Sequence, residues 1–230
     1  LLTLQKENMD ILQDYNGFII CGPIVKKTVS EMAVNYVIKT PRFNMPNVIS
    51  EGTPGYSYPE VSFYKADLKE MANQFKEGDI VKVKGTIYAK NRQPVTPGQN
   101  SYIQTLTGIS LEKCTSDLAT KFGIDLGKYV TPINDIFLVG RVANIMSPAK
   151  GVIRINIQTY VDGYLNNIQT FTYRKNTQNI LNALKRGDRI CARGFVQTVW
   201  KEKENDTSKF YRNIVLQDFV KLEQPVSATA

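Results

Sequence analysis

Asn134-Asp135-Ile136-Phe137-Leu138-Val139-Gly140 decides how this chain is read, because it is written twice. Asn16-Gly17-Phe18-Ile19-Ile20-Cys21-Gly22 has the same Asn and Gly framing five mostly apolar residues. A repeat fixes the architecture before any element is assigned. Working outward, Tyr64-Lys65, Gly78-Asp79 and Gly85 recur at the spacing of Tyr173-Arg174, Gly187-Asp188 and Gly194, and Tyr102 and Tyr211 keep that offset. The first copy is longer only between Gly22 and Tyr64, so one insertion separates two otherwise collinear units.

Hydrophobic periodicity gives each unit its elements. Runs near Gly17–Val25, Ala33–Thr40, Val61–Ala66, Ile80–Ala89 and Tyr102–Leu111 read as strands. Between the third and fourth, Leu68, Met71, Ala72 and Phe75 recur at helical spacing, and Gly78 ends that segment. The second unit repeats the pattern near Ile136–Ala143, Val152–Tyr160, Ile168–Tyr173, Ile190–Lys201 and Phe210–Leu222, with a short helix over Gln178–Leu184. The order β-β-β-α-β-β, twice, predicts an all-β protein with short helices, made of two tandem OB-fold five-stranded barrels. A sandwich would want about seven strands per unit and no helix between the third and fourth. The expected division is an N-terminal barrel with its leading helix over 1–112, a linker over 113–132 and a C-terminal barrel over 133–230. Leu118, Phe122 and Leu126 give the linker an amphipathic helix. Leu4, Met9 and Leu12 give the N-terminal stretch another, read as a domain cap.

The chain has 230 residues, 42% hydrophobic, with 29 Lys and Arg against 21 Asp and Glu and a net charge of +8. That excess favours an anionic partner, either nucleic acid or an acidic membrane surface. With no run of ~18 apolar residues, neither a membrane span nor a signal peptide is read, and the expectation is a soluble cytoplasmic protein. The chain starts at Leu1 rather than Met, so targeting or tail segments lie beyond what it speaks to. Cys21, Cys114 and Cys191 are odd in number and widely spaced, which fits small core residues in a reducing compartment. There is no histidine. The commonest general base and transition-metal ligand are therefore missing, and no cofactor, metal or enzyme activity is expected. A barrel nuclease would need converging carboxylates, whereas Glu51, Glu60 and Asp67 are scattered.

The second unit carries Val139-Gly140-Arg141, Tyr173-Arg174-Lys175, Leu184-Lys185-Arg186-Gly187-Asp188, Arg193-Gly194-Phe195-Val196-Gln197-Thr198 and the closing Val220-Lys221-Leu222-Glu223. On these residues, over ~134–223, it resembles the bacterial and phage single-stranded DNA-binding protein family. The first unit shares the pattern chiefly as the second unit's repeat. The resemblance implies sequence-independent binding and protection of single-stranded DNA in replication, recombination or repair. A tandem arrangement is known in some bacterial members, and a homodimer would give the family's four barrels; a monomer is the alternative. The ending Glu223-Gln224-Pro225-Val226-Ser227-Ala228-Thr229-Ala230 is not the acidic tip through which members recruit replication and recombination proteins. That departure leaves such partners unsupported, either because the chain is trimmed or because it is a divergent phage or plasmid member.

A sequence-tolerant binder of single strands needs a basic groove with aromatic platforms. In the fourth strand of the first unit, Val81, Val83, Gly85, Ile87 and Ala89 share the inward parity, leaving Lys82, Lys84, Tyr88 and Lys90 outside. Arg193 matches Lys84, and Arg174 matches Lys65, so charge is kept in both copies. Tyr64 and Tyr173 occupy the place where the resemblance implies a stacking aromatic. Tyr160, Tyr164 and Phe43 follow the second strands, where it implies another, and Arg154 adds a cation on that strand. The insertion 41–60 also carries Arg42, Tyr56 and Tyr58, as a loop closing over DNA or an irregular excursion. The last hairpin loops are bracketed by Tyr88 and Tyr102 and by Trp200 and Tyr211, with Arg92, Lys201, Lys203 and Arg212 as phosphate contacts. Each reading has a plain counterpart: exposed lysines are often only solvated, aromatics often fill cores, and Trp200 shares its inward parity with Val196. Single-stranded RNA, a mediator that loads other proteins, and a protein-interaction scaffold are the competing functions.

Overall fold

Alternating burial builds the first barrel in this computed structural model, which describes residues 13–41, 55–91, 102–114, 133–173, 180, 182–201 and 209–222. Strand β1 spans Tyr15–Val29 and β2 Val34–Ile38; in β2 every second residue, Val34, Tyr36 and Ile38, is buried. A two-residue pair follows, β3 Thr40–Pro41 with β4 Tyr56–Ser57, too short for any period to announce. Then come β5 Glu60–Phe63, helix α1 Ala66–Gln74, β6 Ile80–Asn91 and β7 Tyr102–Lys113. Strand β6 has the expected parity: Val81, Val83, Ile87 and Ala89 are buried, and Lys84 and Lys90 are exposed. β1 pairs antiparallel with β2 and β6, β2 with β5, and β6 with β7, while β5 runs parallel to β7. The ring closes, so no strand of it is left with a free edge.

The second barrel repeats this with β8 Ile133–Ala149, β9 Val152–Val161, β10 Tyr164–Thr172, β11 Arg189–Lys201 and β12 Lys209–Leu222. Its pairings are the same, including the parallel β10–β12 contact. The chain is therefore two tandem OB folds. Helix α1 buries Leu68 and Ala72 and takes the Tyr36 hydroxyl on the Ala72 carbonyl, while Met71, expected on the inner face, is exposed. In the second unit a helical turn remains, with the Leu184 amide donating to Ile180 at 3.0 Å. The expected N-terminal and linker helices lie outside the described residues. No helix among those described is long and apolar enough to cross a membrane.

The repeated residues have repeated jobs. Gly78 and Gly187 sit at φ 91° and 92°, a left-handed conformation that strains other residues. Gly85 and Gly194 lie at the β-bulge of each fourth strand, where a Cβ would come within 2.0 Å of the Thr107 carbonyl and 2.3 Å of the Val215 carbonyl. Asp79 and Asp188 each accept the amide three residues back, Lys76 at 2.9 Å and Lys185 at 2.8 Å, and each pairs with a lysine of the last strand, Lys113 or Lys221. For Asp79 the Lys76 amide, and for Asp188 the Lys221 ammonium, is the largest influence holding the carboxyl below its ordinary value. A folded pKa below the unfolded one adds stability above the unfolded value, lost as pH falls through the folded one. Asp79→Asn/Asp188→Asn is accordingly expected to be less stable than the parent at neutral pH and to lose less of its stability between roughly pH 5 and pH 2 in urea titrations.

Asn16 and Asn134 behave as inserted backbone. The Asn16 side chain donates to the Ile87 carbonyl at 2.5 Å and accepts the Ile87 amide at 2.9 Å. Asn134 does the same to Val196, both at 2.9 Å, and also donates to the Thr40 hydroxyl at 3.0 Å in the other barrel. The barrels are joined through β1 and β8, antiparallel from Tyr15 opposite Val139 to Cys21 opposite Ile133. Phe18 faces Ile136 at the centre, and these are equivalent positions of the repeat. The two halves of the chain thus meet as the two copies of a two-fold dimer would.

Candidate nucleic-acid interface

On β5 the outward positions are Glu60 and Ser62, and Tyr64 follows directly after the strand. Ser62 is covered, but Tyr64 is 48% exposed and Lys65 beside it is exposed. Tyr64 forms one wall of a groove of about 290 Å³ between the barrels, with Gln104 and Leu106 from β7 and Val196, Arg212 and Ile214 from the second barrel among its other walls. A planar ring with one face in water beside a cation is what stacking on an unpaired base requires.

Tyr160 and Tyr164 flank the turn at Asp162-Gly163, whose φ values of 53° and 79° are those of a tight hairpin. Their rings are 61% and 62% exposed. This β9–β10 hairpin lies over the first barrel: the Tyr160 amide donates to Asp14 Oδ2 at 2.9 Å, and Asn166 Oδ1 accepts the Ala89 amide at 3.1 Å. Tyr164 thereby meets Tyr88 of β6 edge to face, centroids 6.0 Å apart at 81°. Two aromatics from different barrels share one surface.

Other expected residues are engaged within the protein. The Tyr102 hydroxyl donates to the Asn167 carbonyl at 2.7 Å and accepts the Gln169 amide at 2.9 Å, and burial pushes it up to about 12, so Tyr102 ties β7 to the second barrel. Arg212 pairs with Glu60 at 2.7 Å and donates to the Tyr58 carbonyl at 2.9 Å. Tyr173 is half-buried, its hydroxyl raised chiefly by desolvation and contacted by Asn213 Nδ2 at 3.5 Å. Arg193 bonds both oxygens of Asp135 at 3.1 Å and lies 5.7 Å from the Phe137 ring. Arg154, half-buried on β9, donates to Met146 Sδ. Lys84 is exposed, with no ion pair among the described residues.

Phe43, Arg92, Arg174 and Lys203 lie outside the described residues. Trp200, Lys201 and Tyr211 lie in β11 and β12, opposite Phe210, Lys209 and Val199, and their side chains lie outside them too. Two further rings escaped the sequence reading, Tyr15 at 54% and Phe137 at 38% exposure, both on the β1–β8 ladder. Their outward parity within the first strands was the available signal. Among the described residues no three His, Cys, Asp or Glu side chains converge to hold a metal.

No family model matches the chain, and no curated protein matches it in sequence. Solved structures do match it in fold. A deletion mutant of the single-stranded DNA binding protein from Thermus aquaticus superposes with TM-score 0.67 at 9% identity, covering 96% of this chain and 100% of that one. The wild-type protein of the same organism gives 0.63 at 10% identity, covering 95% of this chain and 98% of that one. The shared fold extends over both barrels.

Proposed function

We propose that this chain binds single-stranded DNA without sequence preference, and that both barrels contribute to one surface. The observation that carries this is the set of exposed tyrosines, Tyr64, Tyr160 and Tyr164, together with exposed cations such as Lys65 and Lys84. The fold it shares with the Thermus single-stranded DNA binding protein supports the same reading. Rings on the surface stack on any base, and lysines contact phosphates whatever the sequence, so the recognition is chemical and not base-specific. Replication, recombination or repair is the setting, and no catalytic step belongs to this reading.

The test is fluorescence anisotropy of a labelled dT oligomer of ~30 nucleotides at two salt concentrations, with duplex DNA and rU as competitors. Tight, salt-sensitive binding that duplex does not compete supports the proposal, and rU competition measures how far it extends to RNA. No binding at low salt overturns it. Lys65→Gln/Lys84→Gln is expected to flatten the logarithmic salt dependence by ~0.7 for each phosphate contact removed, with the oligomer's sequence making no difference.

A further inference from the structure

Arg212 belongs to the second barrel but stands on the β2–β5 face of the first. Its guanidinium meets Glu60 at 2.7 Å and the Tyr58 carbonyl at 2.9 Å, and neither charged side chain is buried. Two grooves lie on either side of this pair. One, of about 290 Å³, has Tyr64 on its wall; the other, of about 320 Å³, is lined by Val25, Lys26, Val37 and Tyr58. Glu60 and Arg212 line both. The ion pair is thus a partition across what is otherwise one channel, with a tyrosine at one end and a lysine at the other.

We propose that this pair is an exchange latch. A single strand running along the channel puts a phosphodiester at the partition, and Arg212 leaves the Glu60 carboxylate for the phosphate. Arg212 meets Glu60 Oε2 through Nη1 while Nε holds the Tyr58 carbonyl, and Nη1 fits a phosphate oxygen as well as a carboxylate oxygen, so the exchange needs no movement of the strands. Glu60 is then a built-in competitor of the ligand. Its charge opposes the incoming phosphate and occupies the donors that would bind it. The repeat gives an internal contrast: at the spacing that relates Tyr64 to Tyr173, Glu60 corresponds to Gln169 and Arg212 to Ile103, so the latch exists on one barrel only. At the equivalent place on the second barrel, neutral hydrogen bonds between Gln169 and the side chains of Tyr102 and Gln104 take the place of the ion pair.

This inference rests on the single-strand reading, and the experiment separates the two. Affinity for the labelled dT oligomer is measured for the parent, Glu60→Gln, Arg212→Gln and the double variant, with thermal unfolding of each. Glutamine at 60 can still accept from Arg212, so the contact between barrels is retained while the competing charge is removed. Glu60→Gln is expected to bind about five-fold more tightly and Arg212→Gln about five-fold more weakly, the latter with a salt slope lower by ~0.7. In the double variant the gain from Glu60→Gln disappears. If Glu60→Gln binds no more tightly than the parent, or both single variants lose affinity alongside melting temperature, the pair is only a tie between barrels and the latch is wrong. A parent that fails to bind dT overturns the single-strand reading itself.

Discussion

Tyr64→Ala/Tyr164→Ala is expected to bind dT oligomers at least about 30-fold more weakly than the parent, and each single variant about 10-fold more weakly. Stacking of a base on an aromatic side chain contributes ~1–3 kcal/mol, and ~1.4 kcal/mol is one decade of affinity. The two rings are 48% and 62% exposed, so their removal opens no cavity and the melting temperature is expected to stay close to the parent's. The two positions also probe different parts of the surface. Tyr64 lines the groove between β5, β7 and the second barrel, whereas Tyr164 stands against Tyr88 of β6. Tyr102→Ala is the contrast. Its ring and hydroxyl bridge to Asn167 and Gln169, so that variant is expected to melt lower first and bind worse only as a consequence. Unchanged affinity in the double tyrosine variant would remove stacking from the proposal and leave the barrels to another partner.

The barrels were legible in the sequence because a closed strand of this kind has one inside and one outside, and a two-residue period records that. Strand β6 shows it on either side of its bulge, at Val81 and Val83 and again at Ile87 and Ala89. The repeat then supplied the closure, since Gly85 and Gly194 mark the same bulge and Asp79 and Asp188 the same turn. What periodicity does not encode is the second barrel lying against the outside of the first. Ser62 has outward parity in β5 and is nonetheless covered, while Tyr102 and Arg212 share the parity of the buried Leu106 and Ile214 and yet reach across to the neighbouring barrel. A residue that reads as free to meet DNA from its own strand is then already partnered. The Tyr88–Tyr164 contact is the converse case: two positions 76 apart in sequence are brought together only by the β1–β8 ladder and the Asn166 side chain. The insertion after β2 hid β3 and β4 for a simpler reason, since a two-residue strand contains no period.

The residue whose loss should cost the fold most is the asparagine that heads the second copy of the repeat. Asn134 is 4% exposed and makes three hydrogen bonds with one amide: it gives a proton to the Val196 carbonyl, takes one from the Val196 amide, and gives another to Thr40. Leucine has nearly the same volume and none of these groups. Asn134→Leu therefore leaves the buried Val196 amide and carbonyl without partners, at ~1–3 kcal/mol each, for an expected loss of about 3–5 kcal/mol in urea unfolding with little change in slope. Against a typical total of ~5–15 kcal/mol this is a large fraction. Asn16→Leu breaks the equivalent pair with Ile87 but no contact to the other barrel, and is expected to cost less. Asn134→Asp discriminates hydrogen bonding from volume. A carboxylate accepts the Val196 amide but faces the Val196 carbonyl with a buried negative charge, so burial raises its pKa. Protonation restores a donor, and a group whose folded pKa is raised above its unfolded value gains relative stability as pH falls toward it. The aspartate variant should thus recover part of its deficit against the parent on acidification while the leucine variant does not. Equal and pH-independent deficits in both would mean that the side chain fills space, and that the bonds to Val196 contribute nothing measurable.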